Sequence, residues 1–154
     1  MSNVALMMNN HHVFLSYCRE NQSEVARLRD DLLKSGESVW WDQDILPGQD
    51  WKQQIRQAMK QSYAVVICLS KELATRNQSG VYPEIYDSIT AYRQQVPGSV
   101  FIIPVRLSEC EAPEIAIDDF RTLSSLQLVD LFPETRRTDG LNRLLQGLKL
   151  TIRI

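Results

Sequence analysis

Short apolar runs alternate with helical patterns along most of this chain. Tyr63–Leu69 is continuously apolar, which is typical of a central strand covered on both faces. In the run Val100–Val105, Pro104 indicates an end or an edge of pairing, because proline has no N–H to donate to a sheet. The predicted strands are, in order, Val13–Tyr17, Ser38–Trp41, Tyr63–Leu69, Val100–Val105 and Leu126–Leu131.

Four amphipathic patterns predict helices between and after these strands. Asn21 with Glu24 three residues later resembles a capping box, and Gly36 ends the pattern that follows. Asp50 is suited to cap a second helix that begins at Trp51. The apolar positions at helical spacing are Val25, Leu28 and Leu32; Trp51, Ile55, Ala58 and Met59; Ile85, Ile89, Tyr92 and Val96; and Leu141–Leu148.

The alternation of strands and helices predicts an α/β fold: a five-stranded parallel sheet with helices on both faces. Parallel neighbours need crossover connections, so the carboxyl ends of the strands lie along one edge of the sheet, called here the carboxyl edge. Loops that leave this edge are where an open α/β sheet places its ligand site. We expect one domain over residues 11–154, preceded by a flexible leader over residues 1–10.

Composition narrows the class of protein. The 154 residues are 44% hydrophobic, which is enough for a core, and the net charge of -2 with interspersed signs argues against direct nucleic-acid binding. Cys18, Cys68 and Cys110 are isolated, so neither a disulfide framework nor a metal site is expected. No apolar run is long enough to span a membrane, and no secretory signal is evident. We therefore expect a soluble cytoplasmic domain without membrane contact.

The segment Val39–Trp51 carries the strongest functional signal. An apolar run stops at Asp42, an acidic turn with Pro47-Gly48 follows, and a helix is predicted from Asp50. A plain surface loop does not require acidic residues and three tryptophans within thirteen positions. The segment therefore predicts a pocket at the carboxyl edge.

Several motifs together resemble TIR (Toll/interleukin-1 receptor) domains. Val13-Phe14-Leu15-Ser16-Tyr17, followed by Arg19, resembles their first signature box, and Asp42–Trp51 resembles their loop after the second strand. Phe101–Leu107 is similar to the fourth strand of bacterial members. The resemblance extends from about His12 to Leu148, and it implies a flavodoxin-like five-stranded parallel sheet.

Many bacterial TIR domains cleave NAD+ at the nicotinamide–ribose bond, and the resemblance implies the same type here. These enzymes carry a glutamate near the start of the helix after the third strand. Ser79–Glu84 matches that position, which makes Glu84 the catalytic candidate. The sequence departs from the family at Gly80, where a tryptophan is frequent, and Tyr82 supplies the aromatic residue instead.

The chemistry explains why an acid suits this position. Loss of nicotinamide leaves positive charge on the anomeric carbon, as in glycoside hydrolysis, and a fixed carboxylate stabilises that charge. Pro83 fits the first turn of a helix, where the dipole would keep Glu84 ionised. The alternative is that Glu84 is an ordinary first-turn glutamate.

Further substrate-binding candidates each have a structural alternative. Trp51 can stack on nicotinamide or adenine, or pack in the core. Arg19 can pair with pyrophosphate oxygens or stay solvated. Asp42 and Asp44 can hold ribose hydroxyls or stabilise a turn.

Three more residues are predicted to border the substrate. Ser16 and Tyr17 lie at the end of the first predicted strand and can border the ribose, although Tyr17 fits the core equally well. Tyr82 is the candidate aromatic wall. No glycine-rich Rossmann or P-loop motif is present, so a dinucleotide would bind in another manner.

These observations favour an NAD+ nucleosidase or ADP-ribosyl cyclase that forms nicotinamide and ADP-ribose or a cyclic isomer. NAD+ is then the substrate, no cofactor is expected, and the family implies a role in bacterial anti-phage defence. The alternative is a non-catalytic TIR–TIR assembly module, with the assembly loop at Ile45, Leu46, Pro47 and Gly48. Self-association and a fused or separate sensor or effector are the further partners implied. A phospho-acceptor receiver domain is disfavoured, because Tyr17 and Leu69 occupy the strand ends where it needs acids.

Overall fold

A computed structural model describes residues 12–76, 101–117 and 121–152. The predicted leader at 1–10, the predicted helix with Ile85–Val96, and both Tyr82 and Glu84 lie outside these residues. The regular elements are β1 His12–Ser16, α1 Gln22–Lys34, β2 Val39–Trp40, α2 Trp51–Lys60, β3 Ser62–Leu69, α3 Lys71–Arg76, β4 Phe101–Arg106, β5 Val129–Asp130 and α4 Arg137–Ile152. Short 3-10 turns cover Arg19–Asn21, Asp42–Asp44, Leu123–Ser125 and Glu134–Arg136.

The five strands form one parallel sheet in the order β2-β1-β3-β4-β5. This confirms the predicted fold, with the apolar run at Tyr63–Leu69 as its central strand. β5 pairs with β4 only at Val105 and Arg106, so Pro104 lies just before the paired segment begins. The proline therefore marks an end of pairing on one side of β4, while the strand itself lies inside the sheet.

Alternate residues of a strand point to opposite faces of the sheet. Because the strands carry apolar residues on both faces, helices pack on both. One face holds α2 and includes Phe14 and Ile67. The other holds α1 and α4 and includes Leu15 and Val66. The helix side chains buried against these faces are Ile55, Ala58 and Met59 from α2, Val25, Leu28 and Leu32 from α1, and Leu144 and Leu148 from α4.

The two helix starts predicted from sequence differ in outcome. Asp50 caps α2 as predicted, since its carboxylate accepts a hydrogen bond from the Gln53 N–H at 2.9 Å. Trp51 does not join the buried face of α2 and is 45% exposed. The capping box predicted for α1 is wrong, because the Asn21 side chain makes no cap hydrogen bond. That side chain is used in contacts with other elements, as described below.

Tight packing and ion pairs hold α4 and β5 in place. A Cβ atom on Gly140 would lie 2.0 Å from the Asp130 carbonyl oxygen, so only glycine fits there. Arg106 donates through Nε and Nη2 to the two carboxylate oxygens of Asp130, at 2.6 and 2.8 Å. Arg137 pairs with Asp31 at 2.6 Å and so connects α4 to α1. Within the described ranges, every helix is too short or too polar to cross a lipid bilayer.

Candidate functional site at the carboxyl edge

Tyr17 joins the loops that follow β1 and β2. Its ring is buried next to Ser16, the buried last residue of β1, and its hydroxyl donates a short hydrogen bond to Asp42 Oδ1. Burial, and then the bond to Asp42, raise the pKa of the Tyr17 phenol well above its ordinary value. The phenol therefore remains a donor at physiological pH. Asp42 is half-exposed, which is compatible with its predicted role in holding ribose hydroxyls. Tyr17 is predicted to border the ribose, but its hydroxyl already donates to Asp42.

The turn after β2 is stabilised by its own acidic residues. Asp44 Oδ2 accepts from the Trp41 N–H at 3.2 Å, while the Asp44 N–H donates to the Trp41 carbonyl at 2.9 Å. The Ile45 N–H donates to the Asp42 carbonyl at 3.1 Å. Turn chemistry therefore accounts for the position of the Asp44 carboxylate, which stays exposed to solvent.

The tip of this loop exposes apolar surface in a fixed turn. Leu46 is 63% exposed, and its N–H donates to Gln49 Oε1 at 2.8 Å. Gly48 has a φ of 89°, a conformation that favours glycine. Ile45 was expected at the exposed tip with Leu46 and Pro47, but it is half-buried against the α2 face of the core. The exposed apolar side chains of this segment are Leu46, Pro47 and, at the start of α2, Trp51, and they are called here the exposed patch.

The two tryptophans at the end of β2 point to opposite faces of the sheet, as strand alternation predicts. Trp40 stacks on Phe14 with ring centroids 4.9 Å apart, on the α2 face. Trp41 contacts the Tyr17 ring at 5.9 Å on the other face, and the Arg29 guanidinium lies 5.2 Å from its centroid. Trp40 therefore packs against β1, and Trp41 packs against Tyr17, the residue that follows β1.

A buried polar network joins the loop after β1 to the start of α3. Asn21, only 1% exposed, accepts at Oδ1 from Cys18 Sγ at 2.8 Å and from Ser70 Oγ at 2.6 Å. Its Nδ2 donates to Glu72 Oε2 at 3.2 Å. Ser70 Oγ in turn accepts from the Leu73 N–H at 3.1 Å, which satisfies a donor in the first turn of α3.

Glu72 is the ionised member of this network. Burial acts to raise the pKa of its carboxyl, but hydrogen bonds from its own backbone N–H and from Asn21 outweigh that effect and hold the pKa below its usual value. The cysteines nearby are poor nucleophiles, since burial raises the pKa of both Cys68 and Cys110.

The structure thus brings some of the predicted site residues together and leaves others apart. Tyr17 and Asp42 are bonded, whereas Arg19 is exposed in the turn before α1. Glu84 and Tyr82 belong to the sequence that continues from α3 and lie outside the described residues, so their roles remain predictions. Sequence reasoning missed Asn21, Ser70 and Glu72 as a unit. The available signal was that Asn21 follows β1 closely and that Ser70 directly follows β3, two neighbouring strand ends.

Comparison with known proteins identifies the family. A parallel sheet in the order 2-1-3-4-5 with loops gathered at its carboxyl edge defines a flavodoxin-like α/β domain. The family model described as TIR domain matches residues 13–145. The chain therefore belongs to the TIR domain family. A comparison with curated proteins gave no match.

Solved structures of metazoan TIR proteins share the fold. The TIR domain of the Toll-related receptor TRR-2 from Hydra magnipapillata has a TM-score of 0.64 and 19% identity, over 89% of this chain and 97% of that one. A TIR-STING receptor from C. gigas in complex with 2',3'-cGAMP has a TM-score of 0.62 and 23% identity, over 86% of this chain and 39% of that one. The chain thus spans well under half of the TIR-STING receptor. Identity at this level shows the fold alone, and the bacterial, NAD+-consuming type remains a prediction.

Proposed function

We propose that this TIR domain cleaves NAD+ at the nicotinamide–ribose bond and releases ADP-ribose or a cyclic isomer. The observation that carries the proposal is the junction at the carboxyl edge of three adjacent strands, β2, β1 and β3. There the loop after β2 is bonded to the end of β1 by Tyr17 and Asp42, and the end of β1 is bonded to the start of α3 by Asn21. The sequence that continues from α3 contains Glu84. Family membership supports the proposal, because the TIR family includes enzymes that cleave NAD+ as well as members that do not.

Each candidate residue has a chemical task in this proposal. Glu84 supplies a carboxylate that stabilises the oxocarbenium-like transition state, as Asp and Glu residues do in glycoside hydrolysis. Trp51, exposed beside the acidic turn, offers an aromatic face to a nicotinamide or adenine ring. Arg19, exposed past β1, offers a guanidinium to the pyrophosphate. Nicotinamide is a good leaving group, so a strong general acid is not required, and NAD+ serves as the substrate without an added cofactor.

The test is incubation of the purified chain with NAD+ and chromatographic separation of the products, over a range of protein concentrations. Glu84→Gln should abolish turnover while the fold, followed by circular dichroism, stays intact. Glu134→Gln is the matched control, because Glu134 is an exposed glutamate in the turn before α4 and belongs to none of the three junction loops, so it should keep wild-type turnover. Absence of turnover in the wild type at every concentration, including in the presence of a crowding agent, would refute the proposal. The mass of the product separates ADP-ribose from its cyclic isomers.

The proposal extends to a role in anti-phage defence, carried over from bacterial members of the family. Depletion of NAD+ in infected cells, or a nucleotide signal made from it, would halt phage replication. Expression of the wild type should reduce plaque numbers, and Glu84→Gln should restore them. Equal plaque numbers for the two would remove this part of the proposal and leave the enzymatic part standing.

An assembly module is a second candidate function, favoured by the exposed patch of Leu46, Pro47 and Trp51. Exposed apolar side chains that are clustered are typical of contact surfaces. The two functions are compatible, since a complete site can require a neighbouring domain. A specific activity that rises with protein concentration supports the combined function, whereas self-association with unchanged NAD+ supports assembly alone. A fused or separate sensor is a further partner, and the TIR-STING receptor, which extends far beyond the matched part, supports that arrangement.

A further inference from the structure

One side of α2 carries a row of positive charge. Lys52, Arg56 and Lys60 recur every four residues, so they lie along one side of the helix over about 12 Å. All three side chains are exposed, and residues 51–61 contain no aspartate or glutamate. The ion pairs among the described residues involve none of the three. These residues are called here the basic row.

The segment that follows β4 carries a row of negative charge. Glu109, Glu111 and Glu114 are exposed, whereas Cys110 and Ala112 between them pack against the core. The three glutamates, called here the acidic row, have no lysine or arginine between them, and they too are outside the ion pairs of the described residues. An extended chain of this length spans at most about 18 Å, so the two rows are similar in length.

Both rows are fixed on the same face of the sheet. Ile55 and Met59 of α2 and Ile115 of the segment after β4 are buried in one core cluster, which holds α2 and this segment in place. Within the described ranges, no ion pair joins the basic row to the acidic row. Each row therefore directs its charge to solvent, where a group of opposite charge on another molecule can reach it.

We propose that the basic row of one copy of this domain docks on the acidic row of a second copy. A second copy is the partner that the structure favours, because it offers an exposed row of opposite charge and similar length. One exposed ion pair contributes little to affinity, but several that form together across an interface add up and orient the partners. This inference rests on the assembly function proposed above, and it adds a contact made by charges to the apolar exposed patch. It does not depend on NAD+ cleavage.

Paired charge reversals test the contact between the two rows. Lys52→Glu with Arg56→Glu reverses the net charge of the basic row, so that two acidic rows face each other. Glu111→Lys with Glu114→Lys reverses the acidic row in the same way. The fourfold variant carries both reversals, which exchanges the two signs and restores opposite charges across the contact.

Two further variants serve as controls. Arg136→Glu with Arg143→Glu makes the same change in net charge at exposed positions of α4 and of the turn before it, and α4 packs on the opposite face of the sheet. Lys52→Gln with Arg56→Gln removes positive charge without adding repulsion, so it tests the contact even if the reversed pair does not fold. Lys60 is kept in every variant, because a cation in the last turn of a helix is favourable.

The measurement is sedimentation velocity of the full chain over a range of protein concentrations, at low and at high NaCl. At low NaCl, each reversed pair should raise the dissociation constant on the order of 10- to 100-fold, since like charges then face each other. The fourfold variant should recover most of the wild-type affinity, and the α4 control should keep it. The glutamine pair should lie between the wild type and the reversed pair. High NaCl should weaken the wild type and the fourfold variant alike, because salt screens exposed charges.

Three outcomes would overturn the inference. If the wild type associates and the reversed pairs leave its dissociation constant unchanged, or if the α4 control weakens association equally, the rows do not dock and the exposed patch remains the assembly surface. If both reversed pairs weaken association but the fourfold variant does not recover it, the two rows do not contact each other. If the wild type stays monomeric at every concentration, the assembly function fails and this contact fails with it, while NAD+ cleavage is tested separately.

Discussion

The two halves of the carboxyl edge satisfy their polar groups in different ways. At β4 and β5, Arg106 and Asp130 neutralise each other on adjacent strands, and α4 approaches so closely that only Gly140 fits. At β2, β1 and β3, hydrogen bonds join separate loops, and Leu46 and Trp51 remain exposed beside them. In the first half the charged groups are paired within the protein and the packing is tight. The second half places its polar and aromatic groups where a ligand or a partner can reach them.

The strongest test of this comparison is Gly140→Ala on the β5 side. The added Cβ would meet the Asp130 carbonyl oxygen at 2.0 Å, a contact that the backbone must move to relieve. We expect a loss of about 3 kcal/mol in the free energy of unfolding, at the upper end of overpacking effects. The midpoint of urea denaturation measures it.

Gly147→Ala in the same helix is the control for Gly140→Ala. Its Cβ would meet only Ile103 Cδ1 at 3.5 Å, an ordinary contact. Alanine also favours a helix interior over glycine by up to about 1 kcal/mol, so this variant should be neutral or slightly more stable. Equal losses for the two variants would contradict the close approach of α4 to β5.

The Arg106–Asp130 pair gives the next largest effect. Asp130→Ala removes both carboxylate acceptors of a bidentate pair, so the half-buried guanidinium keeps its bond from Nη1 to the neutral Cys110 carbonyl but loses its counter-charge. Because the pair is partly screened by solvent, we expect a loss of about 1.5 kcal/mol in the free energy of unfolding. Glu134→Ala serves as the comparison, since its pair with Arg27 is exposed and its loss should shift the denaturation midpoint less. A larger shift for Glu134→Ala would indicate that β5 does not depend on Asp130.

On the β2 side, Asp50→Ala should destabilise α2 by about 1 kcal/mol through the loss of its cap. Asp50→Ser keeps an acceptor for the Gln53 N–H and should recover most of that loss. Thermal unfolding followed by circular dichroism compares the two variants. If the alanine and serine variants unfold at the same temperature, the cap does not stabilise this helix.

The smallest effects on folding are expected at the exposed patch, where assembly is expected to respond instead. Leu46→Ser and Trp51→Ala should each change the free energy of unfolding by no more than about 0.5 kcal/mol. Sedimentation velocity should show weaker self-association in both. Leu150→Ser, at an equally exposed leucine of α4, should leave self-association unchanged. Equal weakening in all three would mean that general hydrophobicity, and not this patch, drives assembly.

The sequence predicted the sheet well because its strands are apolar enough to be recognised locally. The continuous apolar run Tyr63–Leu69 predicts a central strand covered on both faces, and β3, the middle strand of the sheet, lies there. The lengths of the two outer strands were less predictable. β2 and β5 contain only two residues each, Val39–Trp40 and Val129–Asp130, and are shorter than the predicted strands Ser38–Trp41 and Leu126–Leu131.

The site was harder to predict because its contacts join distant parts of the chain. Asn21 matched the local signature of a capping residue, yet Ser70, far away in sequence, takes its acceptor atom. Trp51 matched the apolar stripe of α2, but it lies at the first position of the helix and remains half-exposed. Nothing local distinguishes Gly140 from any other helical glycine. The spacing of apolar residues predicts which face of a single helix or strand is buried. The surroundings of these residues depend instead on the element that packs against them.

The three tryptophans lie in three different surroundings, which makes the chain its own optical reporter. Trp40 is stacked on Phe14, Trp41 lies under the Arg29 cation, and Trp51 is open to solvent. A soluble quencher should therefore reduce the emission of Trp51 first. Phenylalanine replacements at two of the three positions would leave one indole at a time. The fluorescence of Trp51 would then report changes at the exposed patch. The fluorescence of Trp41 would report changes in the loop after β2, to which Tyr17 is hydrogen-bonded.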